Sequence, residues 1–460
     1  MKIKTILLPI YNGIRAKNFF YTDIYKELLR EGDIRIVIVI PPSKKEFYEK
    51  EFAEPNVIFE PLEIISEPRF GRILAGFAFS LLNTDSVRLK HKWWYLKYGG
   101  RVKYFLREAM NRIFSPFKFS RRFVRWFDRF VSLDPGVVGI LKKYNPDIVL
   151  VPDIVFPPDR VFLRAAKRTK FFVVGMIRAW DNLTSKGVIL VLPDKLAVHT
   201  NMLKRQAIKY TDMKEENIDV TGIPHYDIFF KERNMTREEF CMSLAIPPER
   251  RIVLCAPFLY GDTTSAVVII NELTRAIKDG RLPRDVQILV RYRPGTPPIK
   301  DGLLEPSENL SVTRPCSEFF EVKNTQAPTK DWEFTTDDIN LLLNTLYYSD
   351  VTINSMSTLS IDAAIYDKPI INVRFDASPN VPPDESVTIF LKHTHYKSVE
   401  DSGGVRRVWN MKELIDSVKE YLDHPEHDRE GRARILCEQI EFTDGLSGKR
   451  TAQYLRKLLF

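Results

Sequence analysis

One segment constrains the fold of this chain more than any other: residues 346–373, which read LYYSDVTINSMSTLSIDAAIYDKPIINV. Two apolar runs in it, 351–353 and 369–373, have the composition of short buried strands, and a helical pattern over 359–366 lies between them. A strand, a helix and a second strand in this order predict two parallel strands joined by a helical crossover. This part of the chain is therefore predicted to be α/β.

The same alternation recurs along most of the sequence. Apolar runs typical of buried strands alternate with helical patterns, and these runs lie at 4–9, 35–40, 57–59, 147–151, 171–176, 195–199, 218–221, 252–256, 286–290 and 310–312. A charged stretch at 229–251 separates them into two groups. The 460 residues suffice for two domains. We therefore expect an α/β fold of two doubly wound, Rossmann-like halves facing a central cleft, where ligands bind at the carboxyl ends of the strands.

The expected domains are 1–235 and 245–440, followed by a final helix at 441–460. Residues 66–134 have a helical, basic pattern with few strand signals, which predicts a helical insertion in the first domain. A helix is also predicted over about 20–30. Residues 295–331 are rich in Pro, Lys and acidic side chains, and are predicted to form a long loop.

The basic residues are concentrated in the predicted insertion. Between Arg88 and Arg129 there are thirteen Lys or Arg side chains and two acidic ones; the rest of the chain has 56 basic and 58 acidic side chains, so this stretch supplies the whole excess. Aromatic rings are interleaved with these cations, and the combination suits an anionic membrane surface, which we expect residues 88–129 to bind. One alternative is a solvated basic face over buried rings. Another is a site for single-stranded nucleic acid, which we do not expect because the basic stretch is confined to one insertion.

Cysteine usage and hydropathy favour a cytoplasmic protein. The four cysteines are widely spaced and fit free thiols in a reducing compartment: Cys241, Cys255, Cys316 and Cys437. The apolar run at 6–10 is too short for a secretory signal, and the run at 73–82 has about half the length of a membrane span. We therefore expect a cytoplasmic protein that associates peripherally with the inner face of the cell membrane.

A turn of small polar residues follows the first strand of segment 346–373: Asn354, Ser355, Ser357 and Thr358. Hydroxyl groups and free backbone N–H groups at a strand-to-helix turn suit a phosphate or diphosphate. Asp362 lies one helical turn further along, within reach of a ribose or sugar hydroxyl. The alternative is an ordinary helix N-cap, for which Ser and Thr are common.

A second polar turn, AWDNLTSKG at 179–187, follows a predicted strand of the first domain. Asp181, held beside Trp180, could be a general base that deprotonates an acceptor hydroxyl. Lys186 could face phosphate or acceptor charge, and Asn182 completes this candidate lining of the cleft. The alternative is an Asx turn that caps a helix, with the Trp side chain as packing.

Three further groups of side chains follow predicted strands. His225 and Asp227 in TGIPHYD are expected near the domain junction, although a lone His is often structural. Arg291 and Arg293 lie at i and i+2 of an extended segment and could grip a phosphate, or they could form a solvated surface pair. His393 or His395 could contact a nucleotide base or phosphate. The His-Thr-His tripeptide at 393–395 has a spacing that some metal sites use, but we expect no metal there, because no carboxylate or Cys cluster accompanies it.

The sequence has no GxxxxGK[ST], HExxH, GxSxG or strand-borne GxGxxG motif. The P-loop NTPase, zinc-protease, α/β-hydrolase and dinucleotide-dehydrogenase classes therefore lose their usual support.

The order of the motifs resembles that of GT-B glycosyltransferases. WDNLTSKG is followed by PDKLAVHTNMLKRQAIKYTDMKEENIDVTGIPHYD and then by segment 346–373. More narrowly, this resembles bacterial surface- and capsule-polysaccharide transferases related to CDP-glycerol glycerophosphotransferases, over roughly 145–230 and 250–395. The chain departs from the family at two positions: Arg293-Pro294 stands where His-Pro is usual, and Asp362 replaces the commoner Glu.

The resemblance implies an N-terminal acceptor domain, a C-terminal donor domain and a last helix that crosses back to the first domain. It implies metal-independent transfer, with no cofactor apart from a nucleotide-sugar co-substrate. It also implies that Ser355, Ser357 and Thr358 hold the donor diphosphate, and that Asp362 contacts the donor sugar or ribose. Asp181 and His225 are the catalytic candidates.

We therefore expect a hexosyltransferase-type glycosyltransferase that moves a sugar from a nucleotide donor to a lipid-linked cell-surface glycan. A CDP-polyol phosphotransferase and a sugar-nucleotide 2-epimerase of the same fold are the alternative enzymes. A nucleic-acid-binding protein is the alternative outside enzymes.

Overall fold

The structure is a computed structural model that describes residues 3–63, 67–256, 264–292, 299–300, 302–315, 318–322 and 329–460. Two parallel sheets dominate it, one in each half of the chain. The strands of the first half are β1 (Lys4–Pro9), β2 (Ile34–Ile40), β3 (Val57–Pro61), β4 (Ile148–Val151), β5 (Val173–Met176), β6 (Lys195–Val198) and β7 (Ile218–Val220). They form one sheet in the order β3-β2-β1-β4-β5-β6-β7, with every neighbouring pair parallel.

The strands of the second half are β8 (Arg251–Ala256), β9 (Val286–Arg291), β10 (Leu310–Thr313), β11 (Glu318–Val322), β12 (Thr329–Glu333), β13 (Val351–Asn354), β14 (Ile370–Val373) and β15 (Arg406–Val408). Six of them form a parallel sheet in the order β10-β9-β8-β13-β14-β15. The other two, β11 and β12, pair as an antiparallel hairpin.

Helices connect the strands and cover both faces of each sheet. In the first half they are α1 (Gly13–Phe20), α2 (Asp23–Leu29), α3 (Lys45–Phe52), α4 (Arg69–Ser80), α5 (Asp85–Tyr98), α6 (Arg101–Phe114), α7 (Lys118–Asp128), α8 (Pro135–Tyr144), α9 (Pro157–Arg168), α10 (Asn182–Ser185) and α11 (Asn201–Thr211). In the second half they are α12 (Arg237–Ser243), α13 (Thr264–Lys278), α14 (Thr336–Tyr348), α15 (Leu359–Ile365), α16 (Lys397–Asp401), α17 (Met411–Asp423), α18 (Arg429–Gln439) and α19 (Ser447–Leu459). Short 3₁₀ segments lie at Pro42–Lys44, Glu215–Asn217, Pro224–Phe230 and Val387–Phe390.

Alternating side chains of each strand pack on opposite faces of its sheet. In β1, Leu7 belongs to the hydrophobic cluster on one face, and Ile6 and Leu8 belong to the cluster on the other. In β8, Val253 and Leu254 divide in the same way. All five side chains are fully buried. Burial of each such side chain stabilises the fold by about 1.5–3 kcal/mol, which explains why the strands are nearly continuous apolar runs.

These sheets confirm the predicted α/β class with two Rossmann-like halves, and α4–α7 confirm the predicted helical insertion. The helix predicted over about 20–30 corresponds to α2, whereas the preceding helix α1 was not predicted. β10 lies at the strand predicted over 310–312, but the loop predicted over 295–331 was wrong where it contains β11 and part of β12. The three-residue edge strand β15 was not predicted because two of its residues are Arg.

The hairpin β11–β12 reaches across to the first half of the chain. Glu333, the last residue of β12, accepts hydrogen bonds from Lys44 Nζ at 2.5 Å and from Tyr48 Oη at 2.7 Å, and all three side chains are buried. The backbone of Trp332 lies so close to Gly13 that an added Cβ would come within 1.9 Å of the Trp332 carbonyl oxygen. The hairpin therefore packs against the carboxyl edge of the first sheet, where α1 begins.

Helix α5 of the insertion also contacts the other half of the chain. Ser86 N–H donates to Thr394 Oγ1 at 3.2 Å, and Thr394 N–H donates to Ser86 Oγ at 2.9 Å. Further along the helix, Trp93 Nε1 donates to the carbonyl oxygen of Asp384 at 2.8 Å. We call these contacts, Ser86 with Thr394 and Trp93 with Asp384, the α5 clasp.

The rest of the insertion exposes a large apolar surface. Exposed apolar side chains of α4, α6, α7 and their flanking turns are Phe70, Ile73, Phe77, Val102, Phe105, Leu106, Ile113, Phe114, Phe117, Phe119, Phe123, Trp126 and Phe130. Exposed cations lie among them: Arg101, Lys103, Arg112, Lys118, Arg122 and Arg129. We call this set of side chains the apolar-basic face. Soluble monomers rarely expose so large an apolar patch.

The last helix, α19, returns to the first half of the chain. Leu455 and Leu459 share a hydrophobic cluster with Ile24 and Leu28 of α2. In the ranges that the structure describes, no helix combines the length and the hydropathy that a membrane crossing requires.

Candidate active site in the interdomain cleft

Several ionisable side chains converge at the carboxyl edge of the first sheet. Arg178 follows β5, His199 follows β6, and His225 lies in the 3₁₀ segment after β7. Lys17 of α1 joins them beyond the end of β1. We call these four residues the basic cluster. Burial, and then the charges of Lys17, His199 and Arg178, hold the pKa of His225 well below its usual range, so its imidazole is neutral near pH 7.

The second half of the chain places a carboxylate against this cluster. Tyr226 Oη donates to Asp362 Oδ1 at 2.8 Å, which joins the segment after β7 to helix α15. Burial raises the pKa of Asp362 to about 6, although the Tyr226 hydrogen bond and the charge of Lys17 oppose that rise. Burial also lowers the pKa of Lys17, and Asp362 opposes that shift. Asp362 therefore lies in the cleft between the two halves, facing groups of the first half.

The hydroxyl-rich turn predicted at 354–358 is present beside Asp362, after β13. Met356 in it has a φ of +48°, a left-handed conformation that is uncommon for a residue with a side chain. Ser357 Oγ accepts from the N–H of Leu359 at 3.3 Å, and Thr358 is exposed and makes no side-chain cap. Ser355 is buried at the end of the strand. These hydroxyl groups thus lie at the carboxyl edge of the second sheet, where ligands of open α/β sheets bind.

Asn354 has an internal role in the same turn. Its side chain is fully buried, and Oδ1 accepts from Asn372 Nδ2 at 2.9 Å and from Ser360 Oγ at 3.2 Å. Since these bonds tie β13, β14 and α15 together, Asn354 supports the turn from beneath.

The WDNLTSKG turn lies at the mouth of the cleft and forms α10. Asp181 Oδ2 is 3.1 Å from Lys186 Nζ and accepts from Ser185 Oγ at 2.7 Å. Burial raises the pKa of Asp181, but Lys186, His395 and Ser185 together outweigh it and hold the pKa at about 2. A carboxylate with so low a pKa is a weak proton acceptor near pH 7, so its role as base stays a prediction that this arrangement does not favour.

Trp180 of the same turn contacts the second half of the chain. Its ring lies edge-on to His395, with centroids 5.0 Å apart, and to Tyr396, with centroids 5.7 Å apart. His393 stacks on Phe390, and its Nδ1 lies 3.4 Å from Ser86 Oγ in the α5 clasp. The turn at 180–187, the segment at 393–396 and the start of α5 therefore meet at one side of the cleft.

Two predicted cleft residues are committed to structural hydrogen bonds. Asn182 is fully buried, and its Nδ2 donates to Asp153 at 3.0 Å; the same carboxylate accepts from Arg178 Nε at 2.8 Å. Asn182 thus helps to position Arg178 through Asp153. Asp227 accepts from the backbone N–H groups of Ser447 at 2.9 Å and Gly448 at 2.6 Å. Its carboxylate caps the N-terminus of α19, so the expected place in the cleft lining is corrected to a place at this helix.

Of the two arginines predicted to bind phosphate, Arg291 and Arg293, the structure describes the first. Arg291 ends β9, is buried, and lies on the same carboxyl edge as the 354–358 turn, two strands away from it. Arg293 lies outside the described residues.

Sequence reasoning did not identify Lys17, Arg178, His199 or Tyr226 as site residues. Arg178 lies two residues after the strand predicted at 171–176, and His199 is the last residue of the strand predicted at 195–199. A search for polar side chains at the carboxyl end of every predicted strand would therefore have found both. Tyr226 lies within TGIPHYD but reads as an ordinary aromatic core residue. Lys17 lies mid-helix in GIRAKNFF, where no local pattern distinguishes it from a solvated lysine.

Within the described ranges, one group of three His, Cys, Asp or Glu side chains has spacing that suits a metal ion, and it lies at 424–427, outside the cleft.

Comparisons with known proteins identify the fold. No protein-family model and no curated protein matches this chain. Among solved structures, a putative UDP-N-acetylglucosamine 2-epimerase from Listeria monocytogenes has a TM-score of 0.58 at 12% identity, covering 99% of this chain and 96% of its own. The UDP-GlcNAc 2-epimerase from Neisseria meningitidis bound to UDP-GlcNAc has a TM-score of 0.57 at 12% identity, covering 98% and 100%. A glycosyltransferase from Rickettsia africae has a TM-score of 0.52 at 14% identity, covering 100% and 99%. The chain thus has the GT-B fold that the motif order predicted.

Proposed function

We propose that the protein is a glycosyltransferase that moves a sugar from a nucleotide-activated donor to a lipid-linked cell-surface glycan. One observation carries the proposal: the basic cluster of the first half faces Asp362 and the 354–358 turn of the second half across one cleft. A nucleotide-sugar donor needs cations or N–H groups for its diphosphate and a polar partner for its sugar hydroxyls. The cleft supplies both, one from each side.

In this proposal the second half binds the donor. The diphosphate contacts Ser355, Ser357 and Thr358, and Arg291 lies on the same edge of the sheet. Asp362 has lone pairs beyond the one that Tyr226 uses, so its carboxylate can accept from a ribose or sugar hydroxyl. His393 lies beside the start of α5, with its Nδ1 3.4 Å from Ser86 Oγ. It is neutral near pH 7, because burial, and then the charge of His395, lower its pKa to about 3.

The basic cluster supports the chemistry of transfer. The acceptor oxygen forms a bond to the anomeric carbon as the bond from that carbon to the diphosphate oxygen breaks, and the nucleoside diphosphate leaves. His225, neutral at pH 7, is the candidate that accepts the proton of the acceptor hydroxyl. Lys17 and Arg178 lie where they would stabilise the negative charge that develops on the leaving group, a task that metal ions perform in other transferases.

A screen of nucleotide sugars tests the donor half of the proposal. Thermal unfolding is measured with UDP-, GDP-, CDP- and CMP-sugars; a ligand at 100 times its Kd stabilises the folded state by about 2.7 kcal/mol. We expect one nucleotide class to raise Tm, and Ser357→Ala and Asp362→Ala to reduce that rise. Ser243→Ala, in α12 far from the cleft, is the matched control, since its hydroxyl bonds only to the Phe240 carbonyl. If no nucleotide sugar changes Tm, the proposal is wrong; if a CDP-polyol alone does so, the phosphotransferase alternative replaces it.

The similarity in fold to UDP-GlcNAc 2-epimerases favours a second candidate function, inversion at carbon 2 of a nucleotide sugar. The two candidates differ in their need for an acceptor. An epimerase converts UDP-GlcNAc to its 2-epimer without any acceptor, whereas a glycosyltransferase leaves the donor intact or releases UDP by slow hydrolysis. Incubation of the protein with UDP-GlcNAc alone, followed by chromatography of the nucleotide products, therefore distinguishes them.

We also propose that the protein attaches peripherally to the cytoplasmic leaflet through the apolar-basic face. The aromatic rings exposed on α6 and α7 are suited to insertion among lipid headgroups. The six exposed cations around them would be attracted to anionic lipid. The face differs from the predicted span 88–129 at its first helix, because Trp93 of α5 is used in the clasp. Attachment of the first half to the bilayer would bring a lipid-linked acceptor to the cleft.

A further inference from the structure

A second cluster of ionisable side chains lies outside the cleft, in the turn that joins α17 to α18. His424, Glu426 and His427 each offer one ligand atom, and these atoms lie within 4.8 Å of one another. The two imidazole rings lie face to face, with centroids 5.0 Å apart and planes inclined by 14°. All three side chains are exposed, so an ion in solution can reach them.

The backbone of this turn is held by a buried side chain. The Arg432 guanidinium is almost fully buried and donates to the carbonyl oxygens of His427 at 2.6 Å and Pro425 at 2.8 Å. Its Nε donates to Asp367, at the end of α15, at 2.8 Å. The backbone on both sides of Glu426 is thus fixed before any ligand binds, which reduces the ordering cost of binding.

A further carboxylate lies beside one of the imidazole rings. His427 Nδ1 is 2.9 Å from Glu420 Oε1, whereas His424 Nδ1 lies 3.4 Å from Oε1 of Glu426, a member of the cluster itself. A carboxylate that accepts from one ring nitrogen leaves the other nitrogen as a lone-pair donor, which is the usual arrangement around a metal-bound histidine. The turn also follows the C-terminal end of α17, whose partial negative charge favours a cation.

We infer that His424, Glu426 and His427 bind a divalent transition-metal ion, with Zn²⁺ as the best match, and that the ion stabilises the turn between α17 and α18. Two imidazoles and one carboxylate suit Zn²⁺, whereas Mg²⁺ prefers oxygen ligands alone. Ligand atoms of a tetrahedral Zn²⁺ lie roughly 3.3 Å apart, so these exposed side chains need only small rotations to bind it. The site is outside the cleft and has no part in the proposed sugar transfer.

The test uses the full-length protein and the double variant His424→Ala/His427→Ala. After equilibration with ZnCl2 and gel filtration, we expect the wild type to retain one more Zn²⁺ per chain than the double variant, and an excess of Mg²⁺ not to displace it. Co²⁺ should give visible absorption bands of an imidazole-bound ion in the wild type alone.

A matched control is Asp416→Asn, which removes another exposed carboxylate of α17 and should retain the ion. Equal Zn²⁺ content in the wild type and the double variant, or no retained Zn²⁺ in either, would overturn the inference. Because the ligands are exposed, the double variant should keep the metal-free Tm of the wild type. Its response to nucleotide sugars should also be unchanged, so failure of the metal site and failure of the proposed function are separately visible.

Discussion

At the scale of single residues, Asp362 is the most informative side chain. It receives a hydrogen bond from Tyr226 of the other half and faces Lys17, while burial raises its pKa to about 6. A carboxylate with a pKa this close to neutrality is unusual for a structural residue and common at functional sites. Two consequences follow, one for activity and one for stability.

The first concerns the pH dependence of activity. The Tyr226 hydroxyl lowers the pKa of Asp362, so Tyr226→Phe should raise that pKa further. If Asp362 works as a carboxylate, the acid limb of the kcat/KM profile should shift to higher pH in the variant. Tyr25→Phe is the control, because the Tyr25 hydroxyl bonds only to the Phe52 carbonyl oxygen outside the cleft. An acid limb at the same pH in Tyr226→Phe and wild type would exclude this role.

The second concerns the pH dependence of folding. Because the folded-state pKa of Asp362 is raised from 3.8 to about 6, the stability linked to its protonation is fully present below pH 3.8 and is lost as the pH rises through 6. An Asn side chain does not ionise, so Asp362→Asn removes this pH-dependent loss of stability, and its amide oxygen can still accept the hydrogen bond from Tyr226. We expect it to be more stable than the wild type at pH 7, by about 3 kcal/mol, and about equally stable near pH 3. Urea unfolding at both pH values measures this; a variant that is less stable at pH 7 would contradict it.

Site residues that follow a strand and belong to a local polar motif could be predicted from the sequence. Residues whose role depends on partners far away in the sequence could not. Asp227 looks like a cleft residue in TGIPHYD, yet its partners are Ser447 and Gly448, some 220 positions later. Lys17 reads as a solvated helix residue until the strand order places α1 opposite Asp362. Such roles depend on the packing of the two halves, which no local pattern encodes.

At the scale of elements, the hairpin β11–β12 and the α5 clasp each contact the opposite half of the chain. Each comes from one half and ends beside a strand exit or polar turn of the other. The hairpin was not predicted because it lies in a stretch whose composition resembles a loop. Each connection supports a prediction.

The hairpin depends on a buried ion pair. Lys44 and Glu333 are buried together with Tyr48, so Glu333→Gln would remove the carboxylate that lies 2.5 Å from the Lys44 ammonium nitrogen. Removing one partner of a buried pair costs about 3–5 kcal/mol. We expect a clear loss in Tm, measured by calorimetry. Glu308→Gln, at an exposed pair with Arg250, should change Tm little; equal effects of the two variants would contradict this interpretation.

The α5 clasp depends on single hydroxyl groups. Ser86→Ala and Thr394→Ala each remove one of the two bonds between these residues. We expect faster backbone hydrogen exchange over 384–396 in both variants, with an unchanged exchange rate in α17, because only the contact between the halves is weakened. Ser243→Ala again serves as the control. Unchanged exchange at 384–396 would mean that the clasp adds no local stability.

At the scale of the whole molecule, strand periodicity predicted most of the architecture, because parallel sheets with helices on both faces require nearly continuous apolar strands. The apolar-basic face was predicted only in outline. The sequence shows which residues are basic or aromatic, but the packing of α4, α6 and α7 decides which of them are exposed.

Vesicle flotation tests the membrane proposal. We expect binding to vesicles that contain anionic lipid at low salt. Binding should be weaker at high salt, because dissolved ions screen the attraction between the exposed cations and the lipid headgroups. Phe123→Ser/Trp126→Ser should reduce binding at least tenfold, since two exposed rings lose their contact with the bilayer. Trp409→Ser, an exposed ring of the second half, is the control. No flotation with anionic lipid at low salt would overturn the proposal.

The position of α5 has a further consequence. The helix begins at the mouth of the cleft, where Ser86 binds Thr394, and it ends beside α6, which carries part of the apolar-basic face. The two surfaces therefore share one rigid element. Thermodynamic reciprocity then requires that any factor by which lipid strengthens donor binding is the same factor by which donor strengthens attachment to lipid. If lipid strengthens donor binding, the protein would therefore remain longest on the membrane when its cleft is loaded.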